Sequence, residues 1–275
     1  MKLNLLILLL LLLISASGTS QVKYGSNNGK YLIIRGTKLY YEEYGKGTSL
    51  ILLHGGLGNI ADFKKCIPIL SKKYKIIAFD SPGLGRSEFA DSTMTYRLMA
   101  EYYSKAIDLL KVDSTYVTGW SDGGNVALIL ASMRPDKIKK IAVSGATYKL
   151  EGTTKSSLDE MKKFSDTLWV SRELKPWIKK YKEKSPTGDW RKYIVEAKKM
   201  WFEEIYFQKS ILSNIQIPTL LIYGDNDMYT PELGVELHKE IKRSQFCILP
   251  NTSHDVFWEK PELITQILCD FFNEQ

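Results

Sequence analysis

The chain has 275 residues, with 38 Lys plus Arg against 31 Asp plus Glu and 44% apolar side chains. It can bury a substantial core and is too apolar for a disordered tail or linker, and its length allows one or two domains. The formal charge of +7 admits a nucleic-acid partner, a membrane surface or only a solvated basic exterior.

Met1-Lys2-Leu3-Asn4 precede an unbroken apolar run from Leu5 to Ile14 and a small-residue stretch from Ser15 to Ser20. One basic residue, an apolar core of ~7 to 15 residues and a small-residue exit make a secretory signal, whereas a membrane span needs about 20 apolar residues. The expectation is a signal peptide over residues 1–20, cleaved after Ser17 or Ser20, and an exported protein, periplasmic or secreted. An uncleaved anchor is the alternative, and no other membrane contact is expected. Despite the oxidising destination there are only three cysteines, Cys66, Cys247 and Cys269, each beside apolar residues. They read as small core hydrophobes rather than a disulfide framework, with a Cys247–Cys269 bridge as the alternative. No CxxC pair and no spaced Cys/His set is present, so no metal is expected.

Short runs rich in Ile, Val and Tyr follow in order: Tyr31 to Ile34, Lys38 to Tyr44, Ser49 to Leu53, Lys75 to Phe79, Thr115 to Thr118, Ile138 to Val143, Thr219 to Tyr223 and Phe246 to Leu249. The first two flank Arg35-Gly36-Thr37 and predict an edge hairpin. The others are continuous rather than alternating, as strands buried on both faces are. Helical patterns at Thr95 to Leu110, Asn125 to Met133 and Pro231 to Ile241 alternate with them, which predicts a mostly parallel sheet covered by helices.

The alternation stops between Thr147 and Asn214, where four of the six tryptophans fall: Trp169, Trp177, Trp190 and Trp201. Residues 147–214 read as a helical lid, broken into short helices at Pro176, Pro186 and Gly188. Residues 21–146 and 215–275 would form the α/β core. The lid holds 15 Lys plus Arg and 10 Asp plus Glu, so most of the positive surplus belongs to it. Its lysines interleave with acids at helical spacing, which favours a solvated face over a groove that tracks nucleic-acid phosphates, and no nucleic-acid partner is expected. The remaining role for that charge would be to draw anionic substrates or rest on an anionic surface.

The chemistry concentrates in Gly119-Trp120-Ser121-Asp122-Gly123-Gly124, between a strand and a helix. A strand, a sharp turn and a helix around G-x-S-x-G are the setting of a nucleophile elbow, in which flanking glycines permit a strained serine. A serine hydroxyl needs a base, and the chain has three histidines. His54 ends a strand in a Gly-rich loop, and His238 lies on a charged helix face. His254, in the loop after the last strand, is left as the base. The orienting acid comes from Gly224-Asp225-Asn226-Asp227: Asp227 is the choice and Asp225 the turn cap, although physics alone does not separate them. For the oxyanion, backbone N–H groups of Asp122 and Gly56 are the candidate donors. Trp120, Asp122 and Trp258 are candidate pocket residues, with a core role as the alternative for the tryptophans.

With His54-Gly55-Gly56, Asp80-Ser81-Pro82-Gly83-Leu84-Gly85-Arg86-Ser87, the elbow, Gly224-x-x-Asp227 and His254 in that order, the chain resembles the α/β-hydrolase superfamily. The resemblance implies an α/β-hydrolase fold: a mostly parallel eight-stranded sheet flanked by helices, with a helical lid inserted after strand 6. Gly119 to Gly124 resembles the biphenyl-hydrolase-like and valacyclovir hydrolase branch, which cleaves amino-acid esters. There the acid after the serine is associated with recognising a substrate amino group, which would make Asp122 a counter-charge. The expected reaction is cofactor-free hydrolysis of a small-molecule carboxylic ester, or of an amide or thioester, through an acyl-enzyme on Ser121. The alternatives are carbon–carbon bond hydrolysis by the same triad and a non-catalytic binding protein on the same scaffold.

Overall fold

A computed structural model describes residues 22–203 and 208–274, so the expected signal segment lies outside the described residues. In chain order the first elements are β1 (Lys30–Ile34), β2 (Thr37–Tyr44), β3 (Thr48–Leu53), α1 (Ile67–Leu70), β4 (Tyr74–Phe79), α2 (Tyr96–Leu109), β5 (Thr115–Trp120), α3 (Asp122–Met133) and β6 (Ile138–Ser144). Five helices follow: α4 (Lys155–Lys163), α5 (Thr167–Glu173), α6 (Lys175–Lys184), α7 (Trp190–Glu203) and α8 (Lys209–Ser213). The chain then returns through β7 (Thr219–Gly224), α9 (Pro231–Glu240), β8 (Ser244–Leu249), α10 (Val256–Glu259) and α11 (Pro261–Asn273).

The eight strands form one sheet in the order β1-β2-β4-β3-β5-β6-β7-β8. The β1–β2 and β2–β4 pairs are antiparallel and every later pair is parallel. This is the expected edge hairpin leading into a parallel sheet. Successive strand residues face opposite sides, so each parallel strand supplies two cores. Ile51, Leu53, Ile77, Phe79 and Val117 join the core under α2 and α3, whereas Leu50, Leu52, Ile76 and Ala78 join the core under α1 and α11. Burial on both faces is why these strands carry no polar alternation.

Between β6 and β7 the helices are separated by the residues that stop them. Asp166 caps α5 by accepting from the N–H groups of Leu168 and Trp169 at 2.8 and 3.1 Å. Pro176 lies in the first turn of α6, and Pro186 and Gly188 fall between α6 and α7. The α6–α7 pair is tied to the core at two points. The Tyr181 hydroxyl donates to the Gly83 carbonyl at 2.8 Å, and the Glu196 carboxylate accepts from the Met94 N–H at 3.0 Å. All three cysteines are free. Cys66 and Cys269 are buried, whereas Cys247 is only half-buried, because β8 closes the sheet at an edge.

Many boundaries shift by one or two residues from the sequence expectation, and those that matter to the site lie around Ser121. Strand β5 runs on through Gly119 and Trp120, which keep register with Val143 and Ser144 of β6. Helix α3 begins at Asp122 rather than Asn125, so Ser121 is the only residue between strand and helix. So tight a turn requires the backbones to touch. A Cβ on Gly123 would lie 2.1 Å from the Leu53 carbonyl oxygen, and one on Gly119 would lie 2.2 Å from the Gly123 oxygen. At Gly124 the nearest atom would be the Ala146 Cβ at 3.1 Å, a contact that a small shift relieves. Gly123→Ala is therefore expected to lower stability by about 3 kcal/mol, the range of a strained overpacked core site. Gly124→Ala should stay within about 1 kcal/mol of wild type, since helix propensity offsets the contact. Urea unfolding of the two variants checks this, and equal midpoints would contradict it.

Candidate active site

Ser121 has φ 55 and ψ −122, outside the regions that L-residues ordinarily occupy. Such backbone costs on the order of 1 to 3 kcal/mol and persists only where the surroundings overdetermine it. Here they do. The Ser121 N–H donates to the Ser144 carbonyl at 2.8 Å, and the Ser121 carbonyl accepts from the Asn125 N–H at 3.0 Å. The glycines at 119 and 123 let strand and helix meet on either side. The serine is thereby held out at the edge of a cavity of about 220 Å³, lined also by Gly56, Trp120, Asp122 and His254.

His254 follows β8, and its Nδ1 lies 2.7 Å from Oδ1 of the buried Asp227. A carboxylate only accepts, so Nδ1 carries a proton, and in the neutral ring Nε2 keeps its lone pair. Among the described residues that Nε2 is a buried atom with no hydrogen-bond partner. Asp227 is itself held by the N–H groups of Gly224 and Tyr229, at 3.4 and 3.3 Å. The ring is packed so closely that a Cβ on Gly145 would lie 2.5 Å from its Cε1.

Geometry separates the two acids that the sequence left together. Asp225 is exposed and accepts from the N–H groups of Asn251 and Thr252, both at 2.9 Å, and these bonds hold its carboxyl below the usual aspartate range. It braces the loop that carries His254, whereas Asp227 meets the imidazole.

The other histidines differ in environment. His54 is buried, and its Nε2 accepts from the Ser81 N–H at 2.9 Å, which places the ring proton on Nδ1, 2.8 Å from the Gly55 carbonyl. Burial pushes its pKa down to about 4. It is a neutral brace for the Gly55-Gly56 loop. His238 is exposed on α9, with Nδ1 2.8 Å from the Ser244 hydroxyl. In the Asp80–Ser87 segment, the buried Asp80 carboxylate accepts from the N–H groups of Ile60 and Arg86, each at 2.8 Å. Burial nevertheless raises its pKa to about 6.

The structure thus gathers Ser121, Asp227, His254, Gly56, Asp122 and Trp120 around one site, with Asp227 behind the imidazole. Among the described residues neither the Gly56 nor the Asp122 N–H donates to a protein acceptor, and both residues line the cavity beside Ser121. Trp120 also has a bracing task, since its indole N–H donates to the His254 carbonyl at 2.8 Å. Trp258 does not belong here. It lies in a separate groove with Leu57, Gly58 and Lys184, its ring 4.5 Å from the Lys64 ammonium. The short α10 turns its neighbour Phe257 into the core against Phe63, with ring centroids 4.9 Å apart, and so points Trp258 away from His254.

Asp122 is buried, and its carboxylate accepts from the Tyr96 hydroxyl at 2.8 Å and from the Trp201 indole N–H at 3.0 and 3.1 Å. Burial raises its pKa despite those bonds. Tyr96 and Trp201 are site residues that sequence reasoning missed, as are Met161, Phe164, Met228 and Tyr229 on the cavity wall. Only Met228 and Tyr229, directly after Asp227, had a positional signal. Among the described residues no group of three or more His, Cys, Asp or Glu could hold a metal ion.

A family model described as the alpha/beta hydrolase fold matches residues 48–174. The chain is 29% identical to an uncharacterized hydrolase, YugF, of Bacillus subtilis, over 86% of this chain and 95% of that protein. It is 26% identical to the human serine hydrolase BPHL, over 86% of this chain and 84% of that one. Among solved structures, the enol-lactonase from Burkholderia xenovorans shares the fold with a TM-score of 0.71 at 21% identity, covering 89% of this chain and all of that one. Sheet order, elbow and these matches agree: the chain has the α/β-hydrolase fold and is a hydrolase of that fold.

Proposed function

We propose that the chain is a serine hydrolase that cleaves carboxylic esters through an acyl-enzyme on Ser121. The observation that carries this is His254, with Nδ1 engaged by Asp227 and Nε2 unengaged at the cavity that holds the strained Ser121. His254 Nε2 takes the Ser121 hydroxyl proton as Oγ attacks the ester carbonyl carbon. The N–H groups of Gly56 and Asp122 stabilise the oxyanion, the first residue of α3 adding its helix end. Collapse breaks the bond to the alcohol oxygen, which leaves with the proton held on His254. A water then repeats the sequence and frees the carboxylic acid. Every step uses groups of this chain, and none calls for a cofactor.

The substrate class follows from charge. Asp122 and Asp255 line the cavity, and among the described residues no Lys or Arg does. A buried carboxylate beside the nucleophile favours an ester that bears an ammonium group, which resembles the recognition seen in the branch with this elbow. The lid's positive surplus does not reach this cavity, so it gives no support to an anionic substrate. Export belongs to the proposal as well, on the Leu5–Ile14 run and its small-residue exit.

Four results are expected. Ser121→Ala should abolish p-nitrophenyl acetate hydrolysis and fluorophosphonate labelling; turnover at the wild-type rate would sink the mechanism. Asp227→Asn should lower kcat by about 10³ to 10⁴, the effect of a wrong imidazole tautomer, while Asp225→Asn keeps most of the rate. Asp122 is tested by comparing an aminoacyl ester with its neutral isostere. Because the Asp122 carboxyl is pushed up, it gains its proton at a higher pH than an ordinary aspartate. The preference for the amine ester, as a ratio of kcat/KM, should fall as pH is lowered through that range. Asp122→Asn should cut the ratio by about 10- to 100-fold, the worth of a charge-assisted hydrogen bond. An unchanged ratio would exclude the counter-charge. N-terminal sequencing of the protein from its native host should begin at residue 18 or 21; a chain that keeps Met1 and stays in the cytoplasm would refute export.

A further inference from the structure

Leu57 follows Gly56 in the loop after β3 and has φ 61, a left-handed conformation that a leucine rarely adopts. Nothing in its own side chain favours that backbone. Its two backbone polar groups are both taken by the lid. The Leu57 N–H donates to the Tyr193 hydroxyl oxygen at 2.9 Å, and the Leu57 carbonyl accepts from the Trp177 indole N–H at 2.6 Å. Those residues stand on α7 and α6, 136 and 120 positions along the chain.

The two lid side chains are themselves fixed. Tyr193 is fully buried, and its ring centroid lies 5.9 Å from that of Trp177 and 6.0 Å from that of Tyr181. Tyr181 is anchored to the Gly83 carbonyl at 2.8 Å. On the other side of Gly56, the Gly55 carbonyl lies 2.8 Å from the protonated His54 Nδ1 and accepts from the Gly58 N–H at 3.3 Å. Gly56 is thus bracketed, by the core through His54 and by the lid through Leu57. Glycine has the widest backbone freedom of any residue, so without both brackets its N–H has no fixed direction. An oxyanion donor works only where it already points at the developing charge.

We propose that Trp177 and Tyr193 are positioning residues for the reaction: by holding Leu57 in the left-handed conformation they aim the Gly56 N–H at the oxyanion, so that seating of the lid and stabilisation of the transition state are one event. The proposal rests on the serine-hydrolase reading above. It assigns the lid a part in the chemical step beyond shaping the pocket. It also accounts for the placement of two lid aromatics whose polar atoms serve a loop backbone and neither of which lines the cavity of Ser121.

The test uses the purified full chain, with Trp177→Phe, Tyr193→Phe and the double variant. Each keeps an aromatic ring and removes one hydrogen-bonding atom. End-point fluorophosphonate labelling counts competent active sites, so that rates refer to folded enzyme. On p-nitrophenyl acetate each single variant should lose about tenfold in kcat with KM within about twofold, a partial share of the ~10² to 10³ lost when an oxyanion donor is removed outright. Phenylboronic acid, which forms a tetrahedral adduct on the serine, should bind about tenfold more weakly in step with kcat. Wild-type kcat in both variants, or a rise in KM with boronate affinity unchanged, would overturn the proposal and leave the two residues as lid packing. If instead the wild-type chain fails to turn over ester, or Ser121→Ala retains the activity, the failure lies with the hydrolase reading and not with the coupling.

Discussion

The structure depends on the close approach of helix α3 to the carboxyl ends of β3 and β5. One residue joins β5 to α3, and the glycines at 119 and 123 leave room for backbone where any side chain would collide with a carbonyl. The contact also forces Ser121 into its left-handed conformation. Fold and reactivity therefore share one cause: the turn that lets the helix cover the sheet is the turn that presents the hydroxyl. The strain is sustained by the parallel sheet around it, in which β5 is paired on both sides.

Around that turn the protein places polar groups so that each has one task. Asp227 orients His254, Asp225 braces the loop on which His254 stands, and Trp120 ties the His254 carbonyl to the elbow. Among the described residues no Lys or Arg lines the cavity. Some lid lysines sit in surface ion pairs, such as Lys162 with Asp159 and Lys209 with Glu240, which contribute little to stability. The surplus read from the sequence is mainly a property of the outer surface, and the cavity itself is acidic.

Much of this was legible because it is local. The G-x-S-x-G turn, the alternation of strands and helices and the choice of His254 follow from short-range pattern, and the apolar runs give the two-faced strands directly. What was not legible depends on which way a side chain faces after packing. Trp258 and Trp201 show the difference. Trp258 is adjacent in sequence to the His254 loop yet points to another groove, whereas Trp201, 80 residues after Ser121, donates to Asp122. Nothing in the helical spacing of the lid distinguishes the face that meets the core from the one that meets water. Asp225 and Asp227 were likewise inseparable until the β8 loop supplied N–H groups to one and an imidazole to the other.

Burial also sets the pH response of the Gly55-Gly56 loop. His54 has a pKa near 4 in the fold against 6.5 for an ordinary histidine, so acidification between those values protonates only the unfolded chain and favours unfolding. Asp80 has a pKa near 6 against 3.8, so between those values the fold binds a proton that the unfolded chain does not, and acidification favours folding. From about pH 4 to 6 the two slopes oppose each other. Well above 6.5, from about pH 7.5, both groups have given up their protons in either state, and neither changes the stability further. At neutral pH His54 is then uncharged and free to accept from Ser81, while Asp80 is ionised and gathers the N–H groups of Ile60 and Arg86. The loop that carries Gly56 rests on a brace whose hydrogen-bond pattern uses those two protonation states: burial of His54 secures its neutral form, whereas burial of Asp80 works against the charge that the N–H groups of Ile60 and Arg86 favour.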